Sequence, residues 1–447
     1  MRILCLAGGA LAALVVGEIY AAGPSTDDLQ QPKFVQLQYD YTYFQDDGFQ
    51  DDGASESPSD QPVIAAEDFP LDLGCGGRGC RAGKPSGCGG CSACEPWGLP
   101  QPCFLKSRGI EVGGWLSGGI YSNAWGASDN GPLGFNDSTG FNMHQLWLYA
   151  ERAADTGGCG TDWGFRVDYV FGVDGPDTQA FGDGGWDSGW NSSRDYGSAI
   201  PQLYFEFALN DWKVKFGHFY TIIGYESVPA PNNFFFSHAY TQYYGEPFTH
   251  TGVLAEYAVN DRTTAFGGWT MGWDSGFENL NDASTFLGGL SFAISNRTSL
   301  TWAMTAGDFG RGAGDVFMNS IVLQHQVTDR LTYIFQQDLG DNSGLGAADN
   351  EWYGINQYLL YDINDCWGAG LRFEWFRDDD GTRVVAGNAG NYYALTAGLN
   401  WKPSANVVFR PEIRYDNFDG VVGGTLPFNE GRDDEQFSGG FDVIVTY

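Results

Sequence analysis

The feature that most constrains this chain is a period of two, sustained over most of its length. From about Gly109 to Tyr447 it is laid out in segments of about ten residues in which apolar side chains alternate with polar or small ones. Trp163, Phe165, Val167, Tyr169 and Phe171 fall on one face of such a segment, and Gly164, Arg166, Asp168 and Val170 on the other. Trp367, Ala369, Leu371, Phe373 and Trp375 oppose Gly368, Gly370, Arg372 and Glu374; Phe409, Ile413 and Tyr415 oppose Arg410, Glu412 and Arg414. Alternation of this kind belongs to β-strands whose two faces meet different surroundings. The chain is therefore read as all-β.

The connections alternate too. Short turns are expected at Asn210-Asp211, Asn260-Asp261-Arg262, Asn296-Arg297, Asp329-Arg330, Asn364-Asp365 and Pro403 to Asn406, since Asn and Asp tolerate the left-handed backbone of tight hairpins. Between them fall long Gly/Asp/Asn-rich loops, among them 172–197, 341–350, 377–390 and 416–434. This asymmetry predicts a transmembrane up-and-down antiparallel β-barrel of about sixteen strands, with both ends on the short-turn side. A soluble sandwich would show the same alternation with inside and outside exchanged. Three features favour the membrane: opposite charges neighbouring on one face (Arg166/Asp168, Arg372/Glu374, Arg410/Glu412/Arg414), aromatics at strand ends (Trp163, Phe171, Trp212, Trp269, Trp273, Trp367, Trp375, Trp401), and a last strand with Phe437, Phe441, Val443, Val445 and Tyr447 on one face.

The N-terminal part is different. Arg2, the apolar run Ile3 to Val16 (which contains Cys5) and Tyr20-Ala21-Ala22 read as an export signal over residues 1–22, with a mature start near Gly23 and the outer membrane as destination. The run is too short for a spanning helix, which needs about 20 apolar residues. Residues 23–72, with Asp46-Asp47-Gly48 and Asp51-Asp52-Gly53, are too poor in apolar residues for a core and read as a disordered acidic leader, in which Tyr39 to Phe44 could add one short strand or bind a partner. Residues 73–106 form a small cysteine-rich module with Cys75, Cys80, Cys88, Cys91, Cys94 and Cys103. Up to three disulfides, or a soft metal at Cys88, Cys91 and Cys94, would account for it. Cys159 and Cys366 stand alone at predicted turns, and whether they pair is not readable. The barrel takes 107–447.

Charge narrows the function. Lys+Arg 23 against Asp+Glu 56 gives a formal charge of -33, which argues against nucleic acid and against a polybasic membrane anchor. His144, His218, His238, His250 and His325 lie in no local catalytic motif, and no phosphate loop or HExxH is present. Neither an enzyme nor a cofactor or metal is expected. The alternative to a pore is a structural or adhesive surface protein anchored by its barrel.

Four segments carry a resemblance: Phe165-Arg166-Val167-Asp168-Tyr169, Gly217 to Glu226, Pro229-Ala230-Pro231-Asn232-Asn233-Phe234-Phe235-Phe236-Ser237, and Pro247 to Gly252. On these, residues 109 to 447 resemble the OmpL-like β-barrel porin family. The resemblance implies a porin-like outer-membrane barrel and little about the solute; the water-filled lumen of a sixteen-strand barrel in contact with lipid leads to passive diffusion of small hydrophilic solutes or ions, and the strand count is compatible with a homo-oligomer. The resemblance implies nothing about the leader.

The stretch Gly217 to Thr251 joins the fifth and sixth strands and so is the third external loop, which in general porins folds inward. With Phe234, Phe235, Phe236, Tyr240, Tyr243 and Tyr244 it would make a poor solvated loop and must pack against something. One reading is a pore constriction presenting Glu226, His238, Tyr240 and Glu246; the other is a loop packed on the rim. Arg166, Asp168, Lys213, Lys215, Arg372, Glu374, Arg410, Glu412 and Arg414 are expected on the lumen wall, either tuning ion preference or pairing with one another.

Overall fold

The computed structural model describes residues 96–447 apart from 125–129, 136–138, 181–185, 188–189, 191–194, 279–281, 311–313 and 344–348, with the backbone alone at Asp349. The signal, the acidic leader and residues 73–95 of the cysteine-rich module lie outside the described residues. Of the remainder, Cys103–Lys106 forms one helical turn, α1.

Sixteen strands follow. They are β1 (Glu111–Asn123), β2 (Gly140–Arg152), β3 (Thr161–Gly172), β4 (Gly197–Leu209), β5 (Trp212–Tyr220), β6 (Thr249–Asn260), β7 (Thr263–Thr270) and β8 (Ser284–Ser295). Then come β9 (Thr298–Asp308), β10 (Asp315–Thr328), β11 (Leu331–Ser343), β12 (Asp349–Asn364), β13 (Trp367–Asp378), β14 (Ala389–Ser404), β15 (Val407–Val421) and β16 (Glu435–Thr446). Each pairs antiparallel with its neighbour in sequence, and β1 with β16 from Trp115↔Thr446 to Asn123↔Ser438, so the barrel closes. Gly114 and Tyr447 each donate a backbone bond to the other at 2.8 Å, carrying the seam to the last residue. Closure leaves no sheet edge unpaired, which a hydrocarbon surround requires.

The expected short turns are present, and Asn210 takes the left-handed φ of 52° there. A longer seventh connection, 153–160, lies on the same side. The opposite rim carries the long loops, of which L1 (124–139), L2 (173–196), L3 (221–248), L4 (271–283) and L7 (379–388) matter below. Strands reach further into them than composition suggested: β15 runs to Val421, so Asp416 and Phe418 belong to the wall, because Asp416 and Phe418 continue the inward alternation of Arg410, Glu412 and Arg414.

Burial settles which face is which. Leu371, Leu395 and Ile413 are 49%, 52% and 53% exposed, whereas Arg372, Arg414 and Asp442 are 0% exposed. A soluble protein would do the reverse. The pattern makes sense only with hydrocarbon outside and a polar interior. Outward aromatics gather towards the strand ends: Trp212 stacks on Tyr257 at 4.5 Å, Trp367 on Trp401 at 5.8 Å, and Trp163 on Phe205 at 6.3 Å. Trp273, expected in this girdle, instead lies buried in L4 within an apolar cluster that includes Leu287 and Trp352. Cys366, in the turn between β12 and β13, is disulfide-bonded, as is Cys103, whereas Cys159 is free and exposed.

Candidate functional site: the loop inside the barrel

L3 enters the barrel because its composition leaves it nowhere else to go. Its apolar residues Ile223, Val228, Phe235, Phe236 and Tyr240 are almost wholly buried, and its polar backbone is met by charges on the wall. The loop climbs β15 in step with the two-residue spacing of the strand's inner face. Arg410 donates to the carbonyls of Ala230, Asn233 and Phe235 at 3.0, 2.6 and 3.1 Å, while the rest of its guanidinium forks onto Asp442 at 2.8 and 2.7 Å. Glu412 accepts the backbone N–H groups of Phe236 and Ser237 at 2.7 and 3.2 Å. Arg414 donates to the His238 carbonyl at 2.6 Å and to Asp416 at 2.7 Å, and Asp416 accepts the Tyr240 hydroxyl at 2.8 Å.

The inner face of β13 repeats the device. Arg372 donates to Glu226 at 2.6 Å, to the Ser237 carbonyl at 2.7 Å and to Ser237 Oγ at 3.0 Å. Glu374 accepts the N–H groups of Tyr240 and Thr241 at 2.9 and 2.7 Å. Buried charges are costly unless paired and hydrogen-bonded, and here each guanidinium and carboxylate meets both an opposite charge or a peptide dipole and good geometry. Two glycines shape the wall for the loop's aromatics: a side chain at Gly370 would strike the Phe234 ring, and one at Gly398 would come within 3.2 Å of Phe235.

Other strands and loops complete the seat. On β2, Gln145 donates to the Val228 carbonyl at 2.8 Å and accepts Ala230 N–H at 3.0 Å. On β12, the Trp352 indole donates to the Gly245 carbonyl at 3.0 Å and the Tyr358 hydroxyl to Glu226 at 3.0 Å. The Arg383 guanidinium of L7 donates to the Tyr244 carbonyl and lies 4.2 Å above the Trp352 ring. On β11, Gln336 donates to Glu246 and, at 3.0 Å, to Asp338.

The four loop candidates thus all lie inside the barrel, each in a different electrostatic setting. Burial would raise the Glu226 carboxyl, but Arg372 and His238 outweigh it and hold the group below the usual carboxylate range; the His238 ring lies 3.6 Å away. Glu246 goes the other way, pushed well above that range by burial and then by the Asp338 carboxylate. Burial, followed by the Asp416 carboxylate, raises the Tyr240 hydroxyl well above its ordinary value.

The wall candidates divide into two groups. Arg372, Glu374, Arg410, Glu412 and Arg414 are brought together against L3. Arg166 instead pairs with Glu151 at 2.6 Å and Asp168 at 2.8 Å, Lys213 lies 3.9 Å from Glu206, and Lys215 sits 5.0 Å over the Tyr204 ring; these face the lumen on β3 and β5. Sequence reasoning passed over Asp442, Asp416, Gln145, Gln336 and Asp338. Asp442 was legible: it shares the inner face of β16 with Gln436 and Ser438. Three of the histidines are held by threonine hydroxyls, His218 by Thr251 at 2.8 Å, His250 by Thr221 at 3.0 Å and His325 by Thr298 at 2.9 Å.

A closed barrel of sixteen strands, apolar outside and charged inside, with a loop folded into its lumen, defines an outer-membrane diffusion channel. Residues 109–447 match the family described as "Putative beta-barrel porin-2, OmpL-like", and the chain belongs to it. Among solved structures the barrel is similar to the outer-membrane channel DcaP of Acinetobacter baumannii (12% identity, TM-score 0.54, covering 76% of this chain and 97% of that one). It is also similar to an anion-selective porin from Comamonas acidovorans (10%, 0.52, 76% and 99%) and to Pseudomonas putida OprB (12%, 0.52, 77% and 96%). At such identities these likenesses establish the fold. A comparison with curated proteins finds no match. Family and architecture together make the protein an outer-membrane porin for passive diffusion, and they do not favour a barrel that serves only as an anchor.

Proposed function

We propose that L3 is the constriction of this porin, that Glu226, His238, Tyr240 and Glu246 shape its narrowest part, and that Arg372, Glu374, Arg410, Glu412 and Arg414 act chiefly by fastening the loop rather than as free selectivity charges. The observation that carries this is the succession of wall-to-loop hydrogen bonds, from Arg410 on Ala230 to Glu374 on Thr241. Arg166, Asp168, Lys213 and Lys215 would line the lumen away from the loop. The permeants are small hydrophilic solutes or ions, the outer surface meets lipid and is compatible with a homo-oligomer, and residues 1–22 direct export. The division into signal, leader (23–72), cysteine-rich module (73–106) and barrel (107–447) is part of the same proposal. Uptake of polyols of graded size into proteoliposomes tests it: Tyr240→Ala and Glu226→Ala should raise the size limit. An unchanged limit in both folded variants would remove L3 as the constriction.

A further inference from the structure

Ionisable side chains are spread unevenly around the lumen. Those of β13, β15 and β16 are committed to L3, to one another and, for Asp378, to the backbone of L7. Across β7 to β10 the inward positions, fixed by register through pairs such as Thr270↔Thr285, Leu287↔Thr305 and Ala303↔Ser320, carry only hydroxyl, amide, apolar or glycine residues. No Asp, Glu, Lys, Arg or His of these four strands points inward; Asp308, Asp315 and His325 have outward parity. The hydroxyls form a ladder: Thr270 and Thr285 meet at 2.6 Å and Ser291 and Thr301 at 3.2 Å, while the buried Thr305 hydroxyl has no hydrogen-bond partner among the described residues.

The two sides also hold L3 differently. On the charged side the contacts are directional and ionic. Leu287, Ala303 and Met318 of β8–β10 lie in one apolar cluster with Ile223 of L3 and Trp273 of L4; the cluster continues to Phe376 and Phe418 on the charged side, where the ionic contacts are added to it. Apolar contact is non-directional, so this seam can part without leaving an unpaired charge, whereas parting from β13 or β15 would strand several.

We propose that solutes cross between L3 and the uncharged arc β7–β10, and that the channel therefore takes small uncharged hydroxyl-bearing solutes in preference to ions of either sign. This rests on L3 being the constriction. An ion entering the arc loses hydration with no formal charge on β7–β10 to replace it, the flanking ones being Glu256, opposite Phe266, and Asp338, opposite Ser320, whereas a polyol exchanges water for Ser and Thr hydroxyls.

The test uses the full chain in proteoliposomes with three probes of similar size: sorbitol, gluconate and glucosamine. Sorbitol should enter several-fold faster than either ion, and a salt gradient should give a cation-to-anion permeability ratio within about twofold of unity. Thr305→Lys should shift preference towards gluconate and Thr305→Asp towards glucosamine, with Ala303→Lys and Ala303→Asp giving the same signs should the first position fail to fold. A wild-type preference for either ion, or charge substitutions on the arc that leave the preference unmoved, would overturn the proposal. If glycerol is also excluded by the folded protein, the porin reading fails first, and if the size limit ignores Tyr240→Ala, the constriction reading does.

Discussion

Replacing Arg410 by Met would test how L3 is held. The substitution keeps much of the side chain's apolar length but deletes the guanidinium, leaving the Asp442 carboxylate, itself 0% exposed, with the Ser117 hydroxyl at 3.0 Å. It also frees the carbonyls of Ala230, Asn233 and Phe235. Breaking a buried ion pair by removing one partner costs about 3–5 kcal/mol, and part of that falls on the seated arrangement of the loop. Were all of it borne there, the ratio of seated to displaced loop would fall by roughly a hundred- to a few-thousand-fold. The readout is single-channel recording beside heat-modifiable gel mobility, which reports barrel folding separately. The account expects a folded barrel with noisier, larger conductance, and partial recovery in the double variant Arg410→Met/Asp442→Leu, which removes the stranded charge. Arg410→Lys should fall between, because an ammonium cannot fork onto Asp442 and reach the loop carbonyls together. Wild-type conductance and noise in Arg410→Met would refute the reasoning.

Three further outcomes follow from the same geometry. Gly398→Leu forces a side chain against Phe235, costs about 1–3 kcal/mol by overpacking, and should change open-channel conductance; unaltered conductance would mean the loop tip does not depend on that hollow. The Glu246 carboxyl is raised in the folded protein, so its contribution to seating L3 is full below the ordinary carboxylate pKa and is lost as pH rises through the raised value, where conductance should increase; Glu246→Gln should abolish that increase, and an increase that persists would assign it elsewhere. Cys366→Ser removes a disulfide at a short turn and should lower stability to denaturant by about 2–4 kcal/mol with conductance intact, while Cys159→Ser changes neither; indistinguishable denaturation of the two would contradict this.

The barrel was legible because hydrocarbon and water impose opposite demands on alternate residues. Arg372 and Glu374 between Leu371, Phe373 and Trp375 can serve only one kind of wall, and Asn or Asp marked most of the short turns. The lengths of β11 and β15 were less so, because Asn342 and Asp416 are as suited to a loop as to a polar lumen. For the loop, the aromatic run Phe234-Phe235-Phe236 announced burial but not its seat. That seat depends on residues distant in sequence, Asp442 beneath Arg410 and Gly370 beneath Phe234, whose nearness only barrel closure creates. Trp273 misled for a related reason: an aromatic residue just beyond a strand can turn to lipid or into the lumen, and local sequence does not distinguish the two.

The central claim is that this chain makes an open path through the outer membrane. The most direct measurement is single-channel conductance of the full-length protein refolded into a planar bilayer, with circular dichroism confirming β-structure. The account predicts discrete, stable steps, limited by L3 and enlarged when Arg410 is replaced. A folded barrel that stays silent in the wild type and in Arg410→Met would contradict it.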